Sequence, residues 1–207
     1  MLLSLTPLLI IFIRRVYHQA ILNLLRVVCV FVFFQQLVLH IPIPGLLPTH
    51  SSVIKAGFQL VEFILLYYLF KRVIQQKRIK EFMNIFLVAF ISVVLTIYFL
   101  KGIDPYAVSL ALLQAALLVL LALVAFVQLI KNNDIVLFRE PLFWVASGIL
   151  CYSSMFIFME LLTGYRQGNT IVIQQEKELV LAVVVLVKLI FFNIAALVAE
   201  KKKPQLY

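Results

Sequence analysis

Apolar residues come in long blocks along this chain, separated by short polar or basic joints, and block length predicts the elements. Leu179 to Ala199, LVLAVVVLVKLIFFNIAALVA, runs for 21 residues and ends against Glu200 and Lys201, Lys202 and Lys203. Only Lys188 and Asn193 are strongly polar within it. About 20 apolar residues cross a ~30 Å hydrocarbon core as a helix, so this block spans a membrane. Ala20 to Ile41, Ser51 to Val73, Glu81 to Leu100, Asp104 to about Ile130, and Glu140-Pro141 to Leu162 have the same character. Leu2 to Ile13 is also apolar, but it holds only 12 residues, contains Pro7 and runs into Arg14 and Arg15. It reads as a short first helix, with a segment lying on the membrane surface as the alternative. A secretory signal would carry its basic residues first and a small-residue cleavage site after, and neither pattern is present.

The joints agree with this division. His40 to His50 holds three prolines and one glycine and predicts a loop. Ser51 and Ser52 offer a cap to the next helix, and Asp104-Pro105 places a cap and a first-turn proline before another. Gly164 to Gln175 reads as a polar loop before the last block. Alanines at 111, 115, 122 and 125 suit close approach of a neighbouring helix. The expected fold is all-α: one polytopic transmembrane bundle of seven helices, or six if the first does not cross. No repeat or second domain interrupts it.

Composition sharpens the class. Sixty-four per cent of residues are hydrophobic, 13% are charged and the mean hydropathy is +1.10. The spans nearly consume the 207 residues, which leaves no room for a soluble catalytic domain and predicts a non-enzyme. The net charge of +9 gathers at helix ends, as membrane topology requires, and forms no basic face interleaved with exposed aromatics, so nucleic acid is not an expected partner. Thirteen basic residues fall on one side: Arg14, Arg15, Arg26, Lys71, Arg72, Lys77, Arg78, Lys80, Lys131, Arg139, Lys201, Lys202 and Lys203. Lys55, Lys101, Arg166 and Lys177 fall on the other. The richer side is expected in the cytoplasm of a plasma (inner) membrane, with the carboxyl end inside and, for seven spans, the amino end outside.

Chemical motifs are sparse. There is no His-Glu-x-x-His, no Gly-x-Ser-x-Gly and no glycine-rich phosphate loop, and no cofactor or metal is expected. Cys29 and Cys151 both fall in apolar blocks and read as small residues packed between helices. His40 and His50 bracket one loop, where Glu160, Glu176 or Asp104 could join them around a metal, although separate surface histidines are the simpler reading. Tyr67, Tyr68, Tyr98, Tyr106 and Tyr165 lie near block ends and read as an interfacial belt.

Lys188 poses the main question. It lies ten residues beyond Glu178, about 15 Å deep at ~1.5 Å per residue, close to the midplane. A lysine there costs about 2.5–3.5 kcal/mol on insertion scales unless protein, water or a counter-charge answers it. Lys55, Gln59 and Glu62 are spaced by four and three and share one helical stripe. Glu62 is ten residues beyond Ser52, and Gln114 ten beyond Asp104, so both reach the same depth as Lys188. One reading is a structural ion pair that fixes helix packing. A second is a wet cleft, open to the outside and ending at Lys188, that carries a ligand, an ion or a proton. A third is a retinal Schiff base with Glu62 as counter-ion, but the arginine-tyrosine and tryptophan-x-x-tyrosine-proline patterns of such proteins are absent.

Three stretches carry a resemblance: Phe58 to Phe70 (FQLVEFILLYYLF), Leu137 to Gly148 (LFREPLFWVASG) and Val187 to Phe191 (VKLIF). Together they resemble a functionally uncharacterised family of small bacterial seven-helix membrane proteins, similar to the membrane sensor portions attached to, or encoded near, histidine kinases. The resemblance implies functional weight for Glu62, Arg139, Glu140, Pro141, Trp144 and Lys188. The chain departs from it in its short first helix and in Ser154-Met155, where a glycine-asparagine pair is expected. The function expected is a non-enzymatic sensory or accessory module, with membrane lipid and a signalling kinase as partners. The kinase would be contacted through Lys71, Arg72, Lys77, Arg78, Lys80 and Lys201 to Lys203. A small transporter or proton path using Glu62 and Lys188 is the alternative.

Overall fold

The computed structural model describes residues 5–14, 20–40, 51–74, 76–101, 106–131, 136–165 and 170–199. Every regular element among them is helical: α1 (Thr6–Arg14), α2 (Ala20–His40), α3 (Ser51–Val73), α4 (Lys77–Lys101), α5 (Ala107–Lys131), α6 (Pro141–Tyr165) and α7 (Thr170–Val198). Six of them, α2 to α7, are long and apolar enough to cross a membrane, so the chain is a multi-pass helical membrane protein. Helix α2, with 21 residues, reaches about 31 Å at ~1.5 Å per residue, whereas the nine residues of α1 reach only about 13 Å. The first block forms the short helix expected of it. Helix α1 is too short to cross alone, and it is wedged between α2 and α7 with Pro7 and Ile11 buried, unlike a helix resting on a surface.

The helices close into a ring in the order α1, α2, α3, α5, α6, α7, with α7 packing back on α1. Helix α4 stands outside, against α3, and is the least buried of the six long helices. Alternating chain direction puts the starts of α3, α5 and α7 at one end of the bundle, here called the upper end. The seams α5–α6 and α6–α7 are the most extensive. Ala115, Ala122 and Ala125 are buried on α5, as expected of alanines at a close approach, and Ala195, Ala196 and Ala199 are buried on α7. Gly148 of α6 meets α7 so closely that a Cβ there would lie 2.9 Å from Phe191 Cβ and 3.3 Å from the Lys188 carbonyl oxygen. Large apolar side chains exposed around the outside, such as Phe82, Phe99, Leu120 and Leu161, are the surface that acyl chains cover.

Some boundaries differ from expectation for one reason. Apolar runs measure the thickness of the membrane core, not the length of the helix, and good helix formers extend a span into water. Helix α4 therefore starts at Lys77, four residues before Glu81, and α7 starts at Thr170, nine before Leu179. The loop expected over Gly164 to Gln175 is correspondingly shorter, because α6 runs to Tyr165. Pro141 does open α6. Glu140 before it is extended (φ −90°, ψ 119°), as a residue preceding proline must be, and its carbonyl accepts from the Phe143 N–H at 3.1 Å. Trp144 Nε1 donates to the Phe138 carbonyl at 3.0 Å and ties the preceding 3-10 turn (Leu137–Arg139) to the helix.

Two expectations about side chains are corrected. Tyr67 is buried, not interfacial, and its hydroxyl donates to Asn84 Oδ1, a polar clip between α3 and the outlying α4. Cys29 is buried, but Cys151 is exposed on the outer surface of α6. The expected loop residues 41–50, the Asp104-Pro105 cap and Lys201 to Lys203 lie outside the described residues.

Candidate functional site

Lys188 of α7 and Glu62 of α3 meet in the interior. Lys188 Nζ donates to Glu62 Oε1 at 3.0 Å, and the residues are only 4% and 9% exposed. The contact joins helices on opposite sides of the ring, so it is made by two extended side chains rather than by abutting backbones. Equal depth made it possible: each residue sits about ten places from the upper end of its span, and a helix climbs ~1.5 Å per residue.

A second group answers the ammonium. The Tyr152 ring of α6 lies 4.0 Å from Lys188 Nζ, and the face of an aromatic ring attracts a cation strongly where water is absent. Tyr152 escaped the sequence reading, which set tyrosines at span ends. A signal was nevertheless there: Tyr152 lies eleven residues into α6 from Pro141, about 16 Å deep, well away from either interface. Gly148, one helical turn before Tyr152, lets α7 come near enough for ring and ammonium to touch.

On its other flank Glu62 borders a cavity of ≈ 30 Å³ between α3, α5 and α6. Gln59, Gln114, Tyr152 and Ser153 line it together with Ala111, Ala115, Leu118 and Phe156. That volume takes about two water molecules, and the lining supplies the several polar partners that a buried water needs. Gln114 Nε2 donates to the Gln59 carbonyl at 3.0 Å, tying α5 to α3 beside the carboxylate. Ser153 is fully buried, and its Oγ has no hydrogen-bond partner. Other hydroxyls in the same helix bond back to a preceding carbonyl, Ser147 to Phe143 at 2.8 Å and Thr163 to Met159 at 3.0 Å. Ser153 forgoes that bond at the cavity wall.

Of the residues expected to form a cleft, Glu62, Gln59, Gln114 and Lys188 do gather at one level. Lys55 does not join them; it is exposed two turns nearer the upper end and lines no part of the cavity. The stripe argument placed it correctly in angle but ignored the distance along the axis. An ion pair that the sequence reading missed lies higher up, where Lys177 Nζ sits 2.7 Å from Glu160 Oε1. Lys177 belongs to the part of α7 that extends above the apolar block, which brings it level with Glu160 near the end of α6.

No cluster of three or more metal-ligating side chains occurs among the described residues, and the side chains of His40 and His50 lie outside them. The basic joint between α3 and α4 lies at the surface. Arg72, Lys77 and Arg78 are exposed, Lys80 is half-buried, and Lys71 Nζ stands 5.7 Å from the Tyr67 ring and 5.8 Å from that of Tyr68. No protein-family model, curated protein or solved structure matches this chain.

Proposed function

We propose that this protein is a non-enzymatic sensory or accessory module of the plasma (inner) membrane, in which the Glu62–Lys188 contact acts as a latch between α3 and α7. The observation that carries this reading is the buried ion pair itself. A buried pair is about as stable as well-packed apolar residues in its place, while loss of one partner costs about 3–5 kcal/mol. Such a contact adds little to overall stability but separates a closed state sharply from an open one. It is suited to a bistable element that a signal biases.

Orientation follows from the thirteen basic residues against four, which put the upper end, and with it the approach to the cavity, outside. A pocket for an organic ligand has about 300–1,000 Å³, far more than the ≈ 30 Å³ beside Glu62. The stimulus is therefore water-sized, such as a proton or a small ion, or one that parts the helices. We assign the cytoplasmic output surface, for a signalling kinase or regulator, to the α3–α4 joint, with Lys201 to Lys203 expected on the same side from the charge count, in keeping with the resemblance to kinase sensor portions. Retinal draws no support from so small a space.

The test is photocrosslinking in cells from Gln76, exposed in the same joint. A kinase or response regulator captured there, and lost when Arg72, Lys77 and Arg78 are neutralised, is the expected result. Recovery of lipid and of the chain itself alone counts decisively against a signalling role. One observation favours a second reading: the polar cavity beside Glu62 could carry protons or ions to the latch. In that case Glu62→Gln abolishes flux in proteoliposomes while the protein stays folded, and a wild type without flux removes the reading.

A further inference from the structure

A second concavity, of ≈ 730 Å³, lies between α1, α2 and α3 and shares no lining residue with the cavity beside Glu62. Its α2 wall runs from Arg26 through Val27 and Val30 to Phe34, and Val61 and Leu65 of α3 complete it. Val27, Val30, Phe34 and Val61 are all exposed, so the groove opens toward the bilayer. It is apolar except at its lower end, where Arg26 stands beside Asn23, its Nη1 donating to Asn23 Oδ1 at 3.4 Å.

The polar end of the groove selects an occupant. Arg26 is six residues inside the start of α2, about 9 Å deep at ~1.5 Å per residue, within snorkelling reach of the headgroup level. Val27 and Val30 follow at about 10 and 15 Å, within the ~15 Å hydrocarbon depth of a single leaflet, and Phe34 lies beyond the midplane at about 21 Å. An apolar groove with a guanidinium within reach of the headgroup level at one end has the polarity of one phospholipid. The planar fork of a guanidinium suits a phosphate. In a zwitterionic lipid the headgroup amine offsets the phosphate charge, whereas an anionic headgroup keeps it.

We propose that this groove binds an anionic phospholipid, Arg26 holding the headgroup phosphate and one acyl chain lying along Val27 and Val30. The site does not depend on the latch or on the sensory reading. One basic side chain near the membrane surface is worth about fivefold in preference for an anionic lipid.

The experiment is native mass spectrometry of the purified protein against phosphatidylglycerol and phosphatidylcholine with identical chains. The wild type should retain phosphatidylglycerol about fivefold over phosphatidylcholine. Arg26→Gln should erase the preference, Arg26→Lys should keep part of it, and Val30→Trp, which fills the groove, should weaken retention of both lipids. Equal retention by the wild type overturns the proposal. So does an undiminished preference in Arg26→Gln, which would place its origin in the basic α3–α4 joint. Should Arg26→Gln fail to fold, Val30→Trp decides: full retention of phosphatidylglycerol by that variant rules the groove out.

Discussion

Lys188→Leu should lower the free energy of unfolding by about 3–5 kcal/mol, and Glu62→Leu should do the same, whereas the double replacement should return close to the wild-type value. Each single change leaves one ion in the interior of the bundle with its partner gone, because the contact at 3.0 Å is the direct counter-charge between α3 and α7. In Glu62→Leu the lysine would keep the Tyr152 ring face, 4.0 Å away, as a partner for its charge. In Lys188→Leu the carboxylate would keep the polar cavity on its other flank, so that variant should be the milder of the two. Removing both charges removes the desolvation cost along with the attraction. Reversible unfolding in mixed micelles, run as a double-mutant cycle, measures the coupling. If the two single losses simply add in the double variant, the groups do not act as a pair and the latch is lost as an idea. The same double variant also separates stability from function: a latch replaced by leucines should fold well and signal poorly.

Gly148→Leu should destabilise the bundle by about 1–3 kcal/mol, the usual cost of overpacking, while Gly57→Ala should be neutral or stabilising by up to ~1 kcal/mol. The contrast rests on surroundings rather than on residue type. A Cβ at Gly148 would meet Phe191 Cβ at 2.9 Å and the Lys188 carbonyl at 3.3 Å, both held by the α7 backbone, so the helices must part. A Cβ at Gly57 would meet nothing within 4 Å and gains the helix propensity of alanine. Parting α6 from α7 at Gly148 also draws Tyr152 away from Lys188. Gly148→Leu should therefore lose function at a temperature where it is still folded. Thermal unfolding of both variants in detergent checks the order, and a Gly148→Leu protein as stable as wild type would mean that the α6–α7 seam is looser than described.

Depth was the quantity most legible beforehand. A helix rises by a fixed amount per residue, so counting from a polar boundary locates a side chain along the membrane normal, and this brought Glu62, Gln114 and Lys188 to one level. Rotation was much less legible. In a soluble helix the apolar stripe points at the core, but here lipid and core are both apolar, and buried Leu66 looks no different in sequence from exposed Leu161. For the same reason Cys29 and Cys151 could not be told apart, although one is buried and the other exposed. Ser153 gave no local sign at all, since a serine within a span usually bonds to its own helix. The Lys177–Glu160 pair was hidden because the upper turns of α7 are polar and resemble a loop.

The chain on its own determined that this is a multi-pass helical membrane protein, with seven spans expected or six if the first block does not cross, because about 20 consecutive apolar residues have few other destinations. It also determined that two opposite charges lie at mid-depth. Only the tertiary structure decided that α1 packs between α2 and α7, that α4 stands outside the ring, and that Glu62 faces Lys188 rather than lipid. It alone supplied Tyr152 and the cavity at Ser153. Those outcomes depend on how each helix is turned about its axis and which neighbour it touches, and side-chain packing between helices sets both, where hydrophobicity does not discriminate.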